Sequence, residues 1–143
     1  MATAPVKLVE RFYAEVWNQA DEGVAREILA EDFRFRGSLG AEKVGQDGFI
    51  AYMRSVHRAL GDYVCIIEEV IETDGRVACR MLFKGKHQAE FFGVGATGRV
   101  ITWTGAAFFR VHDGRIAELW VLGDIDSVKT QLGAQGTAEF ATD

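Results

Sequence analysis

Two residues of this 143-residue chain have types and settings that could do chemistry. Asp124 closes the apolar run Leu119-Trp120-Val121-Leu122-Gly123, and His87 stands between a strand-like stretch and a glycine-rich segment. A carboxylate held beside indole rings, away from bulk water, has its pKa raised and can shuttle a proton near neutral pH. An imidazole at the mouth of the same hollow can donate to a developing oxyanion or exchange a proton. The pair predicts cofactor-independent acid–base chemistry, with Asp124 as the proton shuttle and His87 assisting. Each residue also has a plainer reading. Asp124 directly precedes a short helical pattern that it could N-cap, and His87 could be a loop histidine. His57 and His112 read as structural and surface residues.

Other chemistries find little support. There is no His-x-x-x-His or Cys-x-x-Cys spacing, so no metal is expected. There is no Gly-x-Ser-x-Gly elbow for a nucleophile. Gly93-Val94-Gly95-Ala96-Thr97-Gly98 has the glycines of a dinucleotide loop, but strand-forming Val100-Ile101-Thr102 follows where a helix should, so no cofactor is expected. Sixteen basic residues against 21 acidic ones leave −5, with the basic residues scattered, which argues against nucleic acid as a partner. No apolar run reaches membrane-spanning length and no signal-peptide order opens the chain, so the reading is cytoplasmic with no membrane association. Cys65 and Cys79 are expected unpaired, as in a reducing compartment.

The elements that must position these groups follow from periodicity. Val9, Phe12, Tyr13, Val16 and Trp17 share one helical face, and Pro5 suits the first turn. Asp21 caps a shorter helix with Val24, Ile28 and Leu29. Phe33-Arg34-Phe35-Arg36 alternates as a strand, and from Gly45 the helical period returns in Phe49, Tyr52, Met53, Val56 and Leu60, closed by Gly61. Strands at 62–73 and 76–84 flank Asp74-Gly75, and strands at 99–112 and 115–124 flank Asp113-Gly114, both dipeptides signalling type I′ turns. Residues 85–98 read as a long connection, 125–132 as a last helix, and the tail after Gly133 as frayed. With 48% apolar residues this predicts one α+β domain over 1–143, its ordered core about 5–133, with a curved antiparallel sheet wrapped over three N-terminal helices.

An unbroken ladder from Asp113-Gly114 would set Phe109 opposite Glu118, Ala107 opposite Trp120, Gly105 opposite Leu122 and Trp103 opposite Asp124, all on one face. Trp103 and Trp120 would then wall a hollow with Asp124 at its edge. A β-bulge would exchange the faces. Phe12, Phe33, Phe35, Met53, Phe91 and Phe109 complete the expected lining for an apolar small-molecule substrate.

The stretch Gly85-Lys86-His87-Gln88-Ala89-Glu90-Phe91-Phe92-Gly93, then Phe109-Arg110-Val111-His112-Asp113-Gly114-Arg115-Ile116-Ala117-Glu118-Leu119-Trp120, then Asp124 and Gln131-Leu132-Gly133, resembles the SnoaL-like polyketide cyclase (ester cyclase) family. That family falls within the nuclear transport factor 2-like superfamily. The resemblance implies a cone-shaped α+β barrel, a homodimer, and a metal-free intramolecular aldol-type ring closure of a polyketide ester. It assigns the general base to Asp124 and a histidine before the loop to His87. The chain departs from many relatives at Val121, where an aspartate often follows the tryptophan, and at Gly95 and Ala96, where prolines are common. Those departures motivate an alternative: a non-catalytic small-molecule-binding or accessory dimeric domain of the same fold.

Overall fold

Four helices, a π-helical turn and six strands make up residues 4–133, the part of the chain described by the computed structural model. The tail expectation lies outside the described residues. Helix α1 (Pro5–Arg11) starts with proline in its first turn and widens at Phe12–Trp17 into a π-helix, where the Asn18 N–H reaches the Tyr13 carbonyl at 2.9 Å. All five residues of the predicted face are buried. In α2 (Glu22–Ile28) the Asp21 carboxylate accepts from the Val24 N–H at 3.0 Å, as its cap position predicts. Helix α3 (Gln46–Ala59) buries Phe49, Ile50, Met53 and Val56. It stops before Gly61, because Leu60 is already extended. Helix α4 (Ile125–Leu132) ends on left-handed Gly133, φ 78°.

The strands are β1 (Leu29–Arg36), β2 (Glu42–Val44), β3 (Leu60–Thr73), β4 (Arg76–His87), β5 (Val100–His112) and β6 (Arg115–Gly123). They form one curved, unclosed sheet in the order β2-β1-β6-β5-β4-β3. The expected α+β layout of helices over one sheet face is present. The sheet is mixed, however, since β1 runs parallel to β6 and only the remaining pairs are antiparallel. Strand β2 has no signal in the sequence, because its three residues are exposed and need no alternation.

At Asp113 (φ 51°) and Gly114 (φ 75°) both turn residues are left-handed, which makes the expected type I′ turn. In the first hairpin Gly75 alone is left-handed, so that turn is of another type. An unbroken hairpin about Asp74-Gly75 would set Cys79 opposite Val70 and Cys65 opposite Lys84; Cys79 does face Val70, while a bulge between Ile67 and Glu69 moves Cys65 to Phe83. Both thiols are free and buried.

Beneath the sheet, aromatic rings fill the curl. Phe49 meets Phe12, Trp17, Phe33 and Phe35 at centroid distances of 5.0 to 5.6 Å. His57 stacks on Trp17 at 6.0 Å, and its Nε2 lies 2.8 Å from the Trp17 carbonyl, a structural placement.

Candidate functional site

Which side chains enter the curl is decided by one extra residue in β6. Val111 pairs with Ile116 but Arg110 pairs with Glu118, so Ala117 is bulged out and every later residue of β6 changes face. Phe109 therefore faces Leu119, Ala107 faces Val121 and Gly105 faces Gly123. Trp103 is buried as expected, but Trp120 is 45% exposed on the outer face and walls no hollow. Arg36 holds it there, its guanidinium 5.2 Å over the indole while also donating to the Val121 carbonyl.

Asp124 is exposed too. Its backbone N–H donates to the Thr104 carbonyl, and its carboxylate accepts from the Ser127 N–H at 3.1 Å, capping α4. The placement of Asp124 among indoles is thus corrected by the bulge, and the plainer reading describes its geometry. His87, expected at the mouth of a hollow, is fully buried. Its Nε2 lies 3.1 Å from the Val94 carbonyl, which can only accept, so Nε2 carries the proton. Nδ1 then accepts from the Thr97 N–H at 3.2 Å and lies 2.9 Å from the Thr97 hydroxyl. The imidazole fastens the 88–99 connection to the end of β4.

The two residues are not brought together. His87 bonds the backbone of Arg99 and Asp124 that of Thr104, five residues along the same strand direction, or about 17 Å.

Inside the curl there remains a void of about 20 Å³, lined by Tyr13 and Trp17 of the π-helical turn, Phe35, Ser38 and Leu39 after β1, Tyr52 and Val56 of α3, and Tyr63, Cys65, Phe83, Leu119 and Val121 of the sheet. Of the expected lining residues, Phe35 borders it. Phe12, Phe33, Met53 and Phe109 are buried in the surrounding core, and Phe91 packs beside His87 in the connection. Sequence reasoning missed the three tyrosines as a group. Tyr13 and Tyr52 lie on predicted apolar helix faces, and a hydroxyl on such a face was the available signal.

Electrostatically the interior favours neutral groups. Burial pushes Tyr13, Tyr63 and Tyr52 above the usual phenol range, the last opposed by a hydrogen bond to the Leu39 backbone. Burial likewise raises the Cys65 thiol, against a hydrogen bond with Tyr63, and takes Cys79 to about 11. Among the described residues, no group of three His, Cys, Asp or Glu is placed to hold a metal. Nor is any helix among them long and apolar enough to cross a membrane.

The family model of SnoaL-like polyketide cyclases matches residues 7–132. The chain belongs to that family. Solved structures agree with this SnoaL-like assignment. IdmH of Streptomyces antibioticus, described as a candidate polyketide cyclase, is 27% identical, with 92% of this chain and 99% of that one covered and a TM-score of 0.80. TsrD of Streptomyces laurentii is 25% identical, covering 94% and 98%, with a TM-score of 0.82. A SnoaL-like candidate cyclase from Jannaschia sp. CCS1 shares the fold at 22% identity, covering 93% and 94%, with a TM-score of 0.84. No curated protein matches the chain.

Proposed function

We propose that this SnoaL-like domain holds a small apolar carbonyl compound inside the curl by packing and hydrogen bonds, without an aspartate–histidine proton relay. The observation that carries this reading is Val121. It stands where the resemblance leads one to expect an aspartate, it is 4% exposed, and it borders the interior void beside Leu119. The polar side chains among its lining are three tyrosines, Ser38, Cys65 and Trp17, and none of them is a carboxylate or an imidazole. Such a lining orients a ligand and leaves proton removal from carbon without a base.

The void is the size of one water, so a ligand enters by displacing the connection between β1 and β2, whose Ser38 and Leu39 close it. The test is a panel of linearly fused aromatic ketones of increasing ring number, followed by quenching of tryptophan fluorescence and by mass spectrometry of the ligand. Saturable binding with unchanged ligand is the expected result. Conversion that disappears in Asp124→Asn or His87→Asn would overturn it.

A second reading concerns assembly as a homodimer through the outer sheet face. Ile71, Phe108, Trp120 and Leu122 are 45–63% exposed there, an apolar band of the kind that marks an interface. The band lies between two clefts of opposite charge. One, of about 580 Å³, carries Arg34, Arg36, Lys43, Arg76 and Arg110 against Glu42 and Glu118. The other, of about 570 Å³, carries Glu68, Glu69 and Asp124 against Arg80. A two-fold axis through the band lays the basic end of one copy on the acidic end of the other. Sedimentation of the wild type as a dimer, and of Leu122→Glu as a folded monomer, is expected; a monomeric wild type at tens of micromolar refutes the arrangement.

A further inference from the structure

Among the described residues, two buried side-chain polar atoms have no hydrogen-bond partner, Tyr13 Oη and Trp103 Nε1. Both can donate, and burial keeps the Tyr13 phenol protonated. Tyr13 borders the interior void. Trp103 stacks on Tyr63, another lining residue, at 6.0 Å, and its Nε1 reaches the same narrow space beside Gly123 as the Ser38 side chain. A buried donor left unpaired costs free energy that a packed core of phenylalanines would avoid.

Two further costs converge on the same place. Tyr13 lies in the π-helical turn, an uncommon geometry that gathers at functional sites. That turn is pinned to β3 by Asn18, whose Nδ2–H donates to the Cys65 carbonyl at 3.1 Å while its Oδ1 accepts from the Cys65 N–H at 2.8 Å. Next to Tyr63, Asp62 is left-handed at φ 52°, where the β3–β4 register shifts. Tyr13 in the widened helix lines the void itself, while Trp103 and the left-handed Asp62 lie against or next to the lining residue Tyr63.

Resting on the interior-binding reading above, we propose that this site recognises its ligand through an uncharged carbonyl oxygen that accepts hydrogen bonds from the Tyr13 hydroxyl and the Trp103 Nε1–H. The chemistry selects this class. An oxygen that only accepts satisfies both donors, whereas an apolar ring leaves them unpaired. A carboxylate or phosphate calls for a buried cation, and among the described residues no lysine or arginine is buried. The competing occupant is a single trapped water, for which the void is large enough.

The experiment compares 1-tetralone with naphthalene, two fused bicycles of similar size, one with a carbonyl oxygen and one without, on wild type and Tyr13→Phe. Wild type is expected to bind tetralone more tightly than naphthalene. Tyr13→Phe is expected to lose about fivefold to tenfold in tetralone affinity, keep its naphthalene affinity, and melt no lower than wild type when free. In the same titration the Trp103 indole N–H resonance should move downfield with tetralone and not with naphthalene. Equal tetralone binding by the two proteins, or equal binding of both probes by wild type, overturns the donor assignment alone. A lower melting point for free Tyr13→Phe shows that the hydroxyl already serves a trapped water and overturns it as well. Failure of wild type to bind either probe overturns the interior-binding reading and this inference with it.

Discussion

Replacing His87 with alanine is expected to cost about 3–5 kcal/mol of stability, and the sum follows from what each ring nitrogen does. Nε2–H donates to the Val94 carbonyl, which also accepts from the Phe91 N–H at 3.0 Å and so keeps one partner when the imidazole is gone. That loss is an ordinary hydrogen bond, about 1 kcal/mol. Nδ1 is the acceptor for the Thr97 N–H, and since Thr97 is itself exposed its amide can turn to water, so this loss is about 0.5–1.5 kcal/mol. The emptied imidazole site, fully buried, adds a cavity cost of about 2 kcal/mol. Asparagine places its side-chain oxygen near the Nδ1 position, so His87→Asn should recover roughly the Thr97 share.

Urea unfolding of the three proteins measures the totals, and amide hydrogen exchange locates them. The Thr97 amide should lose protection in the alanine variant and regain it with asparagine, while amides in the middle of β5 change only with global stability. A cost below about 1 kcal/mol with Thr97 exchange unchanged would refute the reasoning, because the ring would then be free to meet a ligand.

Three other outcomes can be checked alongside. Asp124→Ala should cost about 1 kcal/mol through loss of the Ser127 cap, and Asp124→Asn only a few tenths, both read from denaturation midpoints. Gly105→Ala should destabilise by about 1–3 kcal/mol, because a Cβ there would sit 2.6 Å from the Leu122 carbonyl oxygen and 2.9 Å from the Phe83 ring. Burial raises the folded-state pKa of Cys65 and of Cys79, the latter from 9.0 to about 11. The unfolded chain therefore gives up these protons first, so stability is full below about pH 9 and falls as pH rises toward 11, by about 1.4 kcal/mol per pH unit per thiol. Urea midpoints from pH 7 to 10.5 should show that fall, and Cys65→Ala/Cys79→Ala should flatten it until Tyr13 and Tyr63 begin to contribute.

Much of the architecture was legible because period and punctuation agree. The Val9 to Trp17 face, the Asp21 cap, the Phe49 to Val56 stripe and the two Asp-Gly turns each encode a local preference that the tertiary packing keeps. The π-widening at Phe12 left no trace, since both helical periods bury the same residues over six positions. Strand β2 and its connection were invisible for the opposite reason, being exposed and held by backbone bonds such as Gly37 N–H to Ala41 carbonyl. Parallel pairing of β1 with β6 joins elements some 80 residues apart, and no short-range signal reports it.

The site was harder, and Ala117 shows why. A strand has period two, so one unpaired residue inverts everything beyond it. Before the bulge Ile116 is buried; after it the inward residues are Leu119 and Val121 rather than Glu118, Trp120 and Leu122. Read as a uniform ladder, β6 supplies an indole and a carboxylate to the interior; read with the bulge, it supplies two aliphatic side chains and turns Trp120 out to Arg36 and Phe108. The bulged register is the one that buries apolar atoms, because the alternative would enclose Glu118. The position of the acid in the sequence is therefore a poor guide to its place in the fold. Selection for a packed interior fixes the register first, and the interior chemistry is left to the hydroxyls that the helices bring beneath it.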